Sequence, residues 1–219
     1  MRQALRALML SGIVALLAVG ATAPLHGQAT APSDAERRFT QARRAAGLRA
    51  GIWKVDVAVV DQVTRSPQFE AYYQRGLDRH LALESSFGFW RVKTAVAAGD
   101  TEAPPVETRT YIAPLLTSIK YYPLTGPGAA FGPYLTGGIG FAFGVEDESE
   151  RAIGGGGTTV VTGIGLRGAV GLEMALGGRL GIAAAGKYQW VYFGEELINT
   201  KHTFSGVGVE GGVTYRLQF

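Results

Sequence analysis

The sequence predicts an all-β chain: an eight-stranded antiparallel transmembrane up-and-down β-barrel preceded by a short N-terminal segment. Three observations carry this. Apolar and small or polar residues alternate with period two through most of the chain, the links between the alternating stretches are short on one side and long on the other, and the alternation runs into the final residues, VGVEGGVTYRLQF. Strict alternation marks strands with two unlike faces. A soluble terminus ordinarily frays into a few loose polar residues, so a chain that ends in mid-pattern on Phe219 needs a partner for its last strand.

Composition narrows the class. The chain has 219 residues, 47% of them hydrophobic, with 32 glycines and no cysteine. Glycine is at roughly twice its usual share, shows no Gly-X-Y period and sits inside apolar stretches, which excludes collagen and argues against disorder. The absence of cysteine excludes a disulfide scaffold and thiolate metal or redox chemistry.

Residues 1–29 read as a signal peptide. Arg2 and Arg6 precede or border an apolar run over residues 7–19, and small residues follow, with the cut placed after Ala29 and Gly27 at the −3 position. The run is shorter than the ~20 residues a membrane-spanning helix requires. Cleavage would remove two of the 21 bases and none of the 18 acids, leaving 19 against 18. A nearly neutral mature chain has no electrostatic footprint for nucleic acid. Residues 30–50 read as a periplasmic lead-in. Within SDAERRFTQARRAAGLRA, Ser33 and Glu36 have capping-box spacing, and Arg and Ala favour helix.

The barrel is placed at residues 51–219. Its first stretch sets Trp53, Val55, Val57 and Val59 against Lys54, Asp56 and Ala58. The second sets Phe69, Ala71 and Tyr73 against Glu70, Tyr72 and Gln74, and the third Leu81, Leu83, Phe87 and Phe89 against Ala82, Glu84, Ser86, Gly88 and Trp90. The fourth opposes Leu115, Ile119 and Tyr121 to Leu116, Ser118, Lys120 and Tyr122, and the fifth Leu135, Ile139 and Phe141 to Tyr134, Thr136, Gly138 and Ala142. The sixth opposes Ile164, Leu166, Val170 and Leu172 to Gly165, Arg167, Gly171 and Glu173. The seventh opposes Leu180, Ile182, Tyr188, Trp190 and Tyr192 to Gly181, Ala183, Lys187 and Gln189, and the closing stretch is the eighth.

Links after the second, fourth and sixth strands are tight, around Asp78-Arg79, Gly126-Pro127-Gly128 and Gly177-Gly178. Those after the third, fifth and seventh are long, near 95–107, 147–158 and 195–202; the first link, at 64–67, is short. Short turns in the periplasm and long loops outside are the pattern of an outer-membrane barrel. A soluble sandwich would turn its apolar face inward and carry charge outside. Here the apolar face is continuous and bears Trp53, Tyr121, Tyr188, Trp190, Tyr192, Tyr215 and Phe219 near strand ends, as a lipid-facing aromatic girdle does.

The opposite face, glycine-rich and narrow, is assigned to the lumen. It carries five bases (Lys54, Lys120, Arg167, Lys187, Arg216) and five acids (Asp56, Glu70, Glu84, Glu173, Glu210). Balanced charge in a bore just wide enough for side chains predicts ion pairs that plug it. The alternative is a polar path through a gate.

Tyr215, Leu217 and Phe219 resemble the C-terminal signal of bacterial outer-membrane barrels, which ends in an aromatic and is read by the assembly machinery. The stretches PLLTSIKYYPL (114–124) and FGPYLTGGIGFAFG (131–144) resemble the strand–turn–strand core of the small outer-membrane barrel superfamily that includes outer-membrane protein W and outer-membrane protein A-like domains. The resemblance implies a monomer in the bacterial outer membrane, with outer-membrane lipids, lipopolysaccharide and the assembly machinery as partners. It implies either an envelope role or, as in protein W relatives, passage of small hydrophobic molecules through a lateral opening. If the signal reading holds, deleting Phe219 slows insertion, visible as protein left in the periplasm or degraded; wild-type insertion of the truncated chain would exclude it.

No cofactor or metal is expected. GIGLRG (163–168) matches a dinucleotide fingerprint but lies within a strand pattern, without the following helix that site needs. EDESE (146–150) lacks calcium-loop spacing. A lipid A hydrolase would need a Ser/His/acid set, for which His202, Ser205 and Glu210 are the candidates; alternation puts Ser205 and Glu210 on opposite faces, so no enzyme is expected.

Overall fold

A computed structural model describes residues 44–56, 64–96, 106–127, 129–147, 158–194 and 202–217. Residues 1–29, where a signal peptide is expected, residues 30–43 and Phe219 lie outside the described residues. Eight strands follow in order: β1 (Arg44–Asp56), β2 (Thr64–Gly76), β3 (Leu81–Val96), β4 (Val106–Tyr121), β5 (Phe131–Asp147), β6 (Thr158–Gly177), β7 (Leu180–Tyr192) and β8 (Thr203–Leu217). Each pairs antiparallel with the next, and β8 closes onto β1 in a barrel. No helix among the described residues is long and apolar enough to cross a membrane.

The last strand is paired on both sides. β8 is hydrogen-bonded to β7 on one side and β1 on the other, with Arg44 opposite Leu217 and Gly51 opposite Glu210. Closure leaves no unpaired edge, the condition for placing sheet in hydrocarbon. Strands of 13 to 20 residues exceed the ~9–11 that span a bilayer, so the hairpins β3–β4 and β5–β6 rise beyond it on the loop side.

Burial alternates with the sequence pattern, but inside out. Leu48, Phe69, Ile139, Phe141, Val170 and Val209 are more than half exposed, while Glu84, Lys120 and Gln189 are fully buried. A wall with apolar residues outside and charges inside is stable only where the outer solvent is lipid. Tyr121 and Tyr215 mark the wall near the turn end, and Tyr188, Trp190 and Tyr192 near the loop end. Trp190 and Tyr192 stack with ring centroids 5.7 Å apart.

Two expectations about β1 are corrected. The barrel begins at Arg44, not at residue 51, so residues 44–50 are strand and not a helical lead-in. Helix propensity yields because both edges of this segment are paired, to β2 and to β8. The faces of β1 are also reversed. Trp53 is fully buried in the lumen instead of standing in the lipid-facing girdle, and Lys54 is exposed on the outer face. The first link shifts accordingly to residues 57–63, because 64–67 belongs to β2.

Candidate functional site: the layered lumen

The inward side chains form three layers. The middle one is ionic. Arg49 on β1, Lys120 on β4, Arg167 on β6 and Lys187 on β7 meet Glu70 on β2, Glu84 on β3, Glu173 on β6 and Glu210 on β8. Arg167 Nη1 donates to both oxygens of Glu70 at 2.8 and 2.9 Å, and its Nη2 to Glu84 Oε1 and Ser118 Oγ, both at 2.8 Å. Arg49 Nη1 bridges Glu70 and Glu84 at 2.8 and 2.9 Å, and its Nη2 donates to the second oxygen of Glu84. Lys187 Nζ lies 2.5 Å from Glu210 and 3.4 Å from Glu70. Four cations face four carboxylates, drawn from seven strands. Guanidinium forks suit this task because one planar group can serve two carboxylates at once.

Small residues make the space. A Cβ on Gly212 would lie 2.8 Å from Arg49 Cγ, and one on Gly138 would strike Ser118. The glycine abundance that stood out in the composition is thus a steric device, letting long side chains cross a narrow bore.

On the turn side lies a tyrosine layer. Lys120 sits 3.8 Å from the centroid of the Tyr134 ring and pairs with Glu173, which also accepts from Tyr122 Oη at 2.7 Å. Tyr122 in turn accepts from Gln74 Nε2 at 3.0 Å. Tyr72 lies beneath the Arg49 guanidinium, 3.8 Å from its ring centroid. Cations over ring faces gain about 2 kcal/mol when desolvated, so these rings extend the ionic layer downward. On the loop side the lumen turns apolar: Trp53, Trp90, Ile112, Val191, Phe193 and Phe204 form one buried cluster. Trp53 and Trp90 have centroids 4.7 Å apart.

Of the ten charges assigned to the lumen, seven sit in the ionic layer: Lys120, Arg167, Lys187, Glu70, Glu84, Glu173 and Glu210. Lys54 does not, being on the outer face, and the side chain of Asp56 lies outside the described residues. Arg216 sits at the turn-side mouth, donates to the Ala129 carbonyl at 3.3 Å and meets no carboxylate among the described residues. Arg49 was missed. Its signal was present, since Leu48, Ala50 and Ile52 alternate with Gly47, Arg49 and Gly51.

The remaining candidates are placed plainly. Tyr215 is exposed on the outer wall and Leu217 ends β8. Ser205 and Glu210 sit on opposite faces of β8, Glu210 buried in the ionic layer and His202 exposed before the strand. GIGLRG lies wholly within β6, where its arginine, Arg167, joins the ionic layer. Only Glu146 and Asp147 of the acidic run are described, at the end of β5, and no group of residues suited to a metal ion occurs among the described residues.

One irregularity interrupts the wall. The β3–β4 ladder runs from Leu81 opposite Tyr121 to Phe87 opposite Leu115, then resumes at Trp90 opposite Ile112. The interval contains Pro114, which has no N–H to donate. Outside, Phe87 and Ala113 are buried beneath Tyr73, Leu115 and Phe143.

No family model matches the chain, and no curated protein sequence matches it. Solved structures do. The fold is similar to Neisserial surface protein A, with a TM-score of 0.59 at 18% identity over 80% of this chain and 97% of that one. It is similar to the outer membrane protein OprG of Pseudomonas aeruginosa (TM-score 0.53, 15% identity, 82% and 98% covered). It is also similar to Ail, the attachment invasion locus protein of Yersinia pestis, solved with the heparin analogue sucrose octasulfate (TM-score 0.52, 13% identity, 80% and 97% covered). The chain has the fold of the small eight-stranded outer-membrane β-barrels.

Proposed function

We propose that the protein is an outer-membrane barrel with a structural or surface-exposed envelope role, its lumen closed along the axis by its own side chains. The observation that carries this reading is the continuous stack of buried aromatic and ion-paired side chains through the bore. An eight-stranded barrel has just enough interior for side chains to fill, and each arginine here bridges two strands or more. In planar bilayers the purified protein shows no steady ionic conductance. Large, stable openings in the unmutated protein would overturn the closed lumen. Membrane fractionation with a heat-modifiability gel tests the barrel and its location together: the folded form migrates differently from the boiled one, and a soluble fraction sinks the reading.

A second reading, a narrow route for small hydrophobic solutes, is favoured by the ladder break at Pro114. The break lies beside Trp90 and Ile112 of the apolar layer, so a solute entering from the loop side would leave through the wall without crossing the ionic layer. Restoring the missing donor with Pro114→Val closes that route. Uptake of a hydrophobic solute into proteoliposomes falls several-fold under this reading and is unchanged if the barrel is purely structural.

A further inference from the structure

We infer that the outer wall at β8–β1–β2–β3 holds one anionic glycerophospholipid of the inner leaflet, its phosphate between Arg44 and Arg75 and its acyl chains in a recess above them. This rests on the outer-membrane reading and names a specific lipid contact within it.

The headgroup site follows from register. Arg44 and Arg75 are directly opposed on neighbouring strands, and alternation puts both on the outer face, in the row Leu217–Arg44–Arg75–Leu83. Directly opposed Cβ atoms are about 4.5–5.5 Å apart, and like charges there repel. Arg44 Nε has no hydrogen-bond partner. Two guanidiniums side by side are a fork for a phosphodiester. They stand at the end of the barrel that carries the short turns, the periplasmic boundary. There the lipids are glycerophospholipids.

The recess follows from side-chain size. Above the arginine row, Ala46 stands between Tyr215 and Tyr73, and the next rows read Val213–Leu48–Ala71–Phe87 and Gly211–Ala50–Phe69–Phe89. The small residues Ala46, Ala71, Ala50 and Gly211 make a continuous track. Around it lies an apolar concavity of about 630 Å³ in the wall. Six residues separate Arg44 from Ala50, about 20 Å along the strand. With a tilt of about 35–45° that is roughly 15 Å of depth, comparable to one leaflet of an apolar band about 25 Å tall. Headgroup fork and acyl track are thus one lipid long, on one face.

Native mass spectrometry of the full-length protein released from nanodiscs of mixed phosphatidylglycerol and phosphatidylcholine tests this. The unmutated barrel retains one phosphatidylglycerol in preference to phosphatidylcholine. Arg44→Gln/Arg75→Gln cuts that retention about tenfold, and Ala50→Trp, which fills the track, cuts it while leaving the arginines intact. Both variants keep the heat-modifiable shift, which certifies folding. Equal retention by the arginine pair variant overturns the site, as does equal retention of the two lipids by the unmutated protein. Inorganic phosphate displacing the lipid stoichiometrically would reduce the site to an anion pair and overturn the acyl track. Absence of the heat-modifiable shift in the unmutated protein would instead sink the outer-membrane reading.

Discussion

Glu84→Ala lowers the unfolding free energy of the barrel by about 3–5 kcal/mol, the cost of leaving buried charge uncompensated. Glu84 is fully buried and accepts from Arg49 and Arg167, with Lys120 Nζ 3.8 Å away. Urea unfolding in lipid, followed by the heat-modifiable band, reads the change. A loss below about 1 kcal/mol would mean that the lumen is wet enough to solvate the stranded cations. Removing Arg167 as well restores neutrality, so Arg167→Ala/Glu84→Ala costs less than the sum of the single changes, by about 0.5–3 kcal/mol. Lys54→Ala, on the outer face near the loops, stays within about 0.5 kcal/mol of the unmutated protein.

The contrast between Glu84 and Lys54 shows what could be read from sequence. On β2 to β8 the charged side chains of the ionic layer lie on the face that alternation assigns to the lumen, because those strands turn apolar side chains outward and enclose the charged ones. Polarity then reports direction. On β1 it failed at both ends. Residues 44–50 are rich in alanine and arginine, and that composition favours helix locally; only pairing with β2 and β8 makes them strand. At the loop end, Lys54 projects outward near the end of β1, so a charge there does not mark the lumen. Trp53 was misassigned by the same reasoning. Part of the apolar layer was hidden for a related reason: Trp90 fell on the lumen face of β3, but inward Ile112 and Val191 look in sequence like lipid-facing residues. Their neighbours in the lumen come from other strands, and no single stretch of sequence contains the layer.

That apolar layer gives the second large effect. Trp53→Ala removes a fully buried indole packed on Trp90, and large-to-small changes of this kind cost about 3–5 kcal/mol. The surroundings are poorly placed to collapse, because Gly208 lies under the ring: a Cβ there would sit 2.8 Å from Trp53 Cε3. The same contact makes Gly208→Leu overpacked, at about 1–3 kcal/mol. Near-UV circular dichroism separates the roles: the coupled signal of the close indole pair disappears in Trp53→Ala and in Trp90→Ala and persists in Trp190→Ala, whose ring stacks on Tyr192. Conductance separates the layers. Trp53→Ala alone opens the loop-side half of the bore onto an intact ionic layer, and Glu84→Ala alone loosens the ionic layer beneath an intact aromatic one. Two barriers in series pass current only when both are breached, so neither single variant conducts steadily and the double variant shows openings. Steady current through Trp53→Ala alone would place the whole axial barrier in the apolar layer and leave the ion pairs as structural braces.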